Sequence, residues 1–277
     1  MSSRLVTLLT PAAFGIAVLV GCSGATPKAA PTQIDLSDYA ITVPASIPAS
    51  MASFTVMNKS GQAHHAALAR LDSGKTYADF VAAMKDTTMK GPPPAWIVWL
   101  GGAQAFPGAA SNVTIPLEAG NYVWYCVIPG ADGIAHVMKG MSAPMTVTAG
   151  ATTLAAAPIA DVDVTMSDYT WTMSTPVTAG KHTVKYSGAA GSQPHEAVLV
   201  RLQPGKTAKD FLDWAMKMSG PPPIESLGGI PALQPGTANY QEVEFTAGNY
   251  ALVCFVPDAK DGQPHALHGM VKEFAVQ

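Results

Sequence analysis

Ala119-Gly-Asn-Tyr-Val-Trp-Tyr-Cys126 returns 128 residues later as Ala247-Gly-Asn-Tyr-Ala-Leu-Val-Cys254. Ala-Gly-Asn is turn chemistry, and the apolar run behind it is made of residues that favour strands. Each line therefore reads as a turn feeding a buried strand that carries a cysteine. Beyond each cysteine the same types recur in the same order: His136 and Met141 in one line, His265 and Met270 in the other. Nine residues separate Cys126 from His136 and ten separate Cys254 from His265, while four separate His from Met in both.

Working outward, the likeness covers a whole unit. Ser37-Asp38-Tyr39 matches Ser167-Asp168-Tyr169, and His64 with Ala69-Arg70-Leu71 matches His195 with Val200-Arg201-Leu202. Gly74-Lys75-Thr76, Gly91-Pro92-Pro93-Pro94 and Gly101-Gly102 return as Gly205-Lys206-Thr207, Gly220-Pro221-Pro222-Pro223 and Gly228-Gly229. Offsets stay between 127 and 131 residues, which marks a duplicated domain and not a short solenoid period. The expected units are 34–148 and 161–277, joined by a linker of low charge and bulk at 149–160.

Composition agrees with two modest domains. The chain has 277 residues, 48% hydrophobic and 13% charged, with 25 Gly and 23 Pro, which fits many turns and short strands. A net charge of −3 without any Lys/Arg run argues against a nucleic-acid surface. Three cysteines are too few for a disulfide-built scaffold.

The first cysteine belongs to a different feature. Residues 1–21 carry one charge, Arg4, then the apolar stretch Val6–Val20, which reads as a secretory signal. Leu19-Val20-Gly21-Cys22 resembles a bacterial lipobox, which implies lipidation of Cys22 and a chain anchored to a membrane in the cell envelope or periplasm. Residues 22–33 are small and Pro-containing, as a flexible tether would be.

Within each unit most segments read as strands, among them His182–Tyr186, Glu242–Phe245 and Tyr250–Val256. One helix per unit is also marked. Thr76 can cap a helix from Tyr77, with Asp79 completing a capping-box variant and Phe80 and Met84 sharing a face. Its twin starts after Thr207, with Asp210, Phe211 and Ala215. The fold class expected is all-β: two tandem sandwich or barrel domains, each with one inserted helix.

Chemistry explains why His, Cys, His and Met would gather. Thiolate and thioether are soft donors that suit copper, and imidazole serves both of its common oxidation states. A strand delivers the cysteine, the next loop turns back to deliver His and Met, and the first His comes from a distant strand. Taken singly, each residue has a plainer reading: a hydrogen-bonded His, an inert buried thiol, a core Met. His65 and His268 compete with His64 and His265, but the repeat aligns His64 with His195 and His265 with His136.

These lines resemble the cupredoxins, the type 1 blue-copper proteins. Asn58-Lys-Ser-Gly-Gln-Ala-His64 and Pro194-His195 are similar to the plastocyanin-type approach to the first copper histidine. Cys126-Val-Ile-Pro-Gly with His136-Val-Met-Lys-Gly-Met141 resembles the type 1 ligand loop of copper nitrite reductases. The likeness spans Ile34–Val147 and Val162–Val276 and implies Greek-key domains. It also implies one copper per unit, held by His64, Cys126, His136 and Met141 and by His195, Cys254, His265 and Met270. Tyr125 and Val253 stand where multicopper enzymes place a further copper-binding His, and His65 and Glu196 stand where plastocyanin-like proteins often have Asn.

The function expected is one-electron transfer between redox partner proteins, with no substrate transformed, and with His136 and His265 as exits for electrons. Copper sequestration or delivery, and a metal-free interaction module, are the two other readings that the sequence leaves open.

Overall fold

The structure, a computed structural model, describes residues 30–85, 94–150, 154–217 and 219–277. The signal segment 1–21, Cys22 and Gly91–Pro93 lie outside the described residues.

Unit one runs β1 (Thr32–Ser37), β2 (Ala40–Thr42), β3 (Ser46–Pro48), β4 (Ser50–Asn58), β5 (His64–Leu71), α1 (Tyr77–Lys85), β6 (Ile97–Ala105), β7 (Ala110–Leu117), β8 (Gly120–Tyr125) and β9 (Ser142–Thr148). Unit two runs β10 (Val162–Ser167), β11 (Thr170–Met173), β12 (Gly180–Gly188), β13 (His195–Leu202), α2 (Ala208–Ala215), β14 (Ile224–Leu233), β15 (Ala238–Phe245), β16 (Gly248–Val253) and β17 (Val271–Val276). β1 begins inside the stretch expected as a tether. It does so because Ile34 and Leu36 alternate into the core and the strand pairs in parallel with β4.

Each unit is a two-sheet sandwich, and the two sandwiches share their sheets. An eight-stranded sheet runs β11-β10-β12-β15-β7-β4-β1-β2, and a nine-stranded sheet runs β17-β16-β13-β14-β6-β5-β8-β9-β3. The crossings are short, with Tyr240 opposite Thr114 and Leu233 opposite Leu100. Joining edge to edge removes strand edges that would otherwise stay open. Side chains complete the seam: Asn112 Nδ2 donates to Glu242 O at 2.8 Å, and Asn112 Oδ1 accepts from Glu242 N at 2.8 Å. One buried core extends through both units, from Ile34 and Phe54 to Val184 and Leu252.

The repeated sequence lines acquire physical reasons. In Ala-Gly-Asn-Tyr, the tyrosine hydroxyl donates back to the residue four earlier, Tyr122 to Glu118 O at 2.8 Å and Tyr250 to Thr246 O at 2.7 Å. This pins the turn ahead of β8 and of β16. Gly102 and Gly229 both adopt φ of 117°, where a Cβ would run into the carbonyl oxygen of Ala66 or Ala197 on the adjacent strand. The strands beside them shift register there, between Ala67 and Ala69 and between Val198 and Val200.

Both helices begin as expected. Thr76 and Thr207 exchange bonds with Asp79 and Asp210, and the boxed pair at Thr207 is complete. Phe80 and Phe211 are buried beneath them. α2 ends at Ala215, ahead of Gly220, with Met216 capping it.

Candidate metal centres

The architecture carries the repeated His, Cys and Met residues to matching places. β5 and β13 start at His64 and His195, and Cys126 and Cys254 are the first residues beyond β8 and β16. The loop after Cys126 folds back through a bridge between Pro129 and Ala135 and a short 3-10 helix, His136–Lys139, closed by Gly140 in left-handed geometry. Val137 N donates to Cys126 O at 2.7 Å and Cys126 N to Met141 O at 3.2 Å, so both ends of the loop are tied to the cysteine. In unit two, Ala266 N to Cys254 O (2.8 Å) and Cys254 N to Met270 O (3.3 Å) repeat the closure around a loop one residue longer.

The donors converge in both. His64 Nδ1 and His136 Nδ1 are 3.0 Å apart, and Cys126 Sγ lies 3.8 Å and 3.5 Å from them. The corresponding distances around Cys254 are 3.0 Å between His195 and His265, then 3.9 Å and 3.4 Å to the sulfur. All six of these side chains are buried, as are Met141 and Met270 in the same core as their cysteines. Backbone N–H groups point at each sulfur, from His65 at 3.2 Å and from Glu196 at 3.4 Å.

Burial sets the charge states. It pulls His64 and His195 down to about 4, helped by the facing histidine in each pair, and it also lowers His136 and His265. The imidazoles are therefore neutral near pH 7 and can offer a lone pair. Burial pushes the Cys126 thiol up to about 11, and Cys254 higher still, with the Glu196 carboxyl adding to the second effect.

These groups fit a single ion. Metal–nitrogen and metal–sulfur bonds of about 2.0–2.3 Å around one centre set donors roughly 3–4 Å apart, as they are here. Without an ion, one Nδ1–H···Nδ1 hydrogen bond can join the two rings; with one, both nitrogens and the sulfur can bind the same cation. Two imidazoles and a soft thiolate suit copper. Both halves are cupredoxin-like.

That description rests on the sandwich and on the placing of the donors at its strand ends. No known protein family matches the chain, and no curated protein does. Solved structures similar to these cupredoxin-like halves include auracyanin B, at 17% identity over 44% of this chain and 93% of that one, with a TM-score of 0.31. Reduced auracyanin from the photosynthetic bacterium Roseiflexus castenholzii matches at 23% identity over 42% and 94%, with a TM-score of 0.28. A Cu-containing nitrite reductase from Thermus scotoductus SA-01 matches at 9% identity over 88% of this chain and 61% of its own, with a TM-score of 0.24.

The structure brings together all three of His64, Cys126 and His136, and all three of His195, Cys254 and His265. His182 pairs instead with Asp161, and His268 lies at the surface beside Asp261. His136 and His265, expected as exits for electrons, lie in the loops after the cysteines. Both rings are fully buried, covered edge-on by Tyr39 and Tyr169 at 5.3 Å and 5.6 Å between centroids. These two tyrosines are the described non-glycine residues with positive φ, 59° and 60°. The repeated Ser-Asp-Tyr line was the sequence signal for them, but nothing in it told which ring they would cover.

Sequence reasoning also missed the outer contacts of unit two. Asp168 Oδ1 lies 3.0 Å from His195 Nε2, and Asp258 Oδ2 lies 3.6 Å from His265 Nε2. Asp258 is buried and held by Tyr169 Oη, by Gln193 Nε2 at 2.9 Å and by Lys260 N. The Asp168 contact keeps the proton of His195 on Nε2, which leaves Nδ1 free to bind metal.

Proposed function

We propose that each unit holds one type 1 copper and that the protein carries single electrons between redox partner proteins without transforming a substrate. The observation behind this is the doubled, fully buried His–Cys–His convergence, with Met141 and Met270 tied by backbone to the cysteines. His64, Cys126 and His136 would form one trigonal set with Met141 as the weak axial ligand. His195, Cys254, His265 and Met270 would form the other. Bound copper supplies reversible one-electron chemistry. The residues of this chain keep water away, hold the imidazoles neutral, and fix their geometry by strand ends and a closed loop. Such rigidity favours a resident ion over a cargo handed on to another protein.

The same reading has the protein exported and anchored by a lipid on Cys22. Among the described residues, no helix is long and apolar enough to cross a membrane.

Copper titration of the purified protein, followed by visible absorption and metal analysis, tests the first part. An intense thiolate-to-copper band that saturates at two coppers per chain is expected, with one lost in Cys126→Ser and the other in Cys254→Ser. Absence of the band with no retained copper would overturn it. For the anchor, Cys22→Ala should move the protein from the membrane fraction to the soluble one. An unchanged distribution would remove Cys22 from the account.

A further inference from the structure

The two centres have the same inner donors and different outer charges. In unit two, His195 Nε2 is hydrogen-bonded to Asp168 at 3.0 Å, and His265 Nε2, though without a hydrogen bond, has the Asp258 carboxylate 3.6 Å away. In unit one, His64 Nε2 and His136 Nε2 are buried without a hydrogen-bond partner. The position matching Asp258 is Gly130, placed by the equivalent bridges of Pro129 and Pro257. A Cβ built on Gly130 would stand 3.4 Å from His136 Nε2, but 2.7 Å from Lys139 Nζ and 3.1 Å from Asp132 Oδ1, so these two side chains fill the place that Asp258 takes in unit two. An ion pair is there instead: Lys139 Nζ bonds Asp132 at 2.7 Å and sits 4.9 Å above the Tyr39 ring that covers His136. The matching residue in unit two is His268, which is turned to Asp261.

Resting on the reading that both units bind copper, we propose that the two centres have unequal reduction potentials, unit two the lower and unit one the higher. A carboxylate on the far nitrogen of a ligand imidazole makes that ring a stronger donor. Its negative charge in a buried setting favours Cu(II) over Cu(I). Asp168 and Asp258 both act in this direction. In unit one, Asp38 faces His64 and His136 through space without bonding either, and Lys139, partly offset by its partner Asp132, acts the other way on His136 and favours Cu(I). One electron placed on the protein then resides in unit one at equilibrium. Passing from Cu(I) in unit two to Cu(II) in unit one, it oxidises the first and reduces the second, with no proton or other reactant involved. Asp258, Asp168 and Gly130 are thus positioning residues that give a symmetric duplication a direction.

The test is a spectroelectrochemical redox titration of the full chain loaded with copper, after metal analysis. Two one-electron steps are expected, separated by tenfold or more in the electron distribution, which is about 59 mV for one electron. Cys254→Ser should keep the higher step and Cys126→Ser the lower. Asp258→Asn should raise the lower step, and Gly130→Asp should depress the higher one. Two coppers with coincident steps, or steps in the reverse assignment, overturn this inference alone. So do steps that neither Asp258→Asn nor Gly130→Asp moves. Fewer than two retained coppers overturns the copper reading and this inference with it.

Discussion

Glu196 Oε2 stands 4.0 Å from His65 Nε2 across the boundary between the units, with both side chains buried. Each is the neighbour of a donor histidine, and each sends its backbone N–H to the cysteine sulfur of its own unit. The pair therefore spans the space between the two centres. Burial pushes the Glu196 carboxyl up to about 7 and the His65 imidazole down to about 4, so between those values the pair is a neutral acid beside a neutral ring. An acid whose pKa is higher folded than unfolded binds its proton more tightly in the native state. Its stabilising effect is complete below the ordinary value of 4.5 and is lost as pH rises towards 7. Glu196→Gln lacks that titration. In urea unfolding of the metal-free protein, the variant should gain on the parent by up to about 3 kcal/mol between pH 4.5 and 7.5. A difference that stays constant over this range would contradict the buried, uncharged state of Glu196.

Gly102 and Gly229 give a harsher prediction. At φ of 117°, alanine is strained in itself, and its Cβ would collide with backbone on the neighbouring strand. Backbone cannot give way as a flexible side chain would. Gly102→Ala or Gly229→Ala should cost roughly 3 kcal/mol or more by denaturant unfolding. Gly74→Ala, also at positive φ but with open space around it, should cost about 1 kcal/mol. Equal losses at Gly74 and Gly102 would show that the collision contributes nothing.

Much of this was readable from the chain because duplication turns single weak signals into paired ones. His64 alone is an ordinary histidine; aligned with His195, and followed at matching distances by Cys, His and Met, it becomes part of a set. The capping residues Thr207 and Asp210 were legible because a helix start is decided within four residues. The shared sheets were not, since nothing local to Thr114 or Leu100 says that its strand will meet Tyr240 or Leu233 from the other unit. Asp258 escaped for the same reason: its partners Tyr169 and Gln193 lie far away in sequence. The repeated Gly-Gly line was visible, but its cause is a close approach that only the folded strands create.

Asn239 tests the seam between the units. Its Oδ1 accepts from Gly102 N at 2.9 Å, and both groups are buried. Asn239→Ala leaves that N–H without a partner inside the protein, which costs about 1–3 kcal/mol. Because the sheets are continuous, the loss should appear in one cooperative transition of the whole chain, followed by tryptophan fluorescence and circular dichroism together. Two separated transitions in the parent protein would show that the units fold independently of their common sheets.

Met270 separates a ligand from a core residue. It is fully buried and backbone-paired with Cys254, yet Met166 is buried in the same core cluster without belonging to the repeated donor line. In Met270→Gln, a harder oxygen donor replaces the thioether at similar length, and a hard donor favours Cu(II) over Cu(I). The potential of the unit-two centre should fall by an amount equivalent to tenfold or more, about 59 mV, and its visible band should shift. In Met166→Leu, a swap that nearly conserves volume, stability should change by less than about 1.5 kcal/mol, with neither the potential nor the band moving. A Met270→Gln protein that keeps both the parent potential and the parent spectrum would make Met270 a packing residue and leave the centre with three donors from His195, Cys254 and His265.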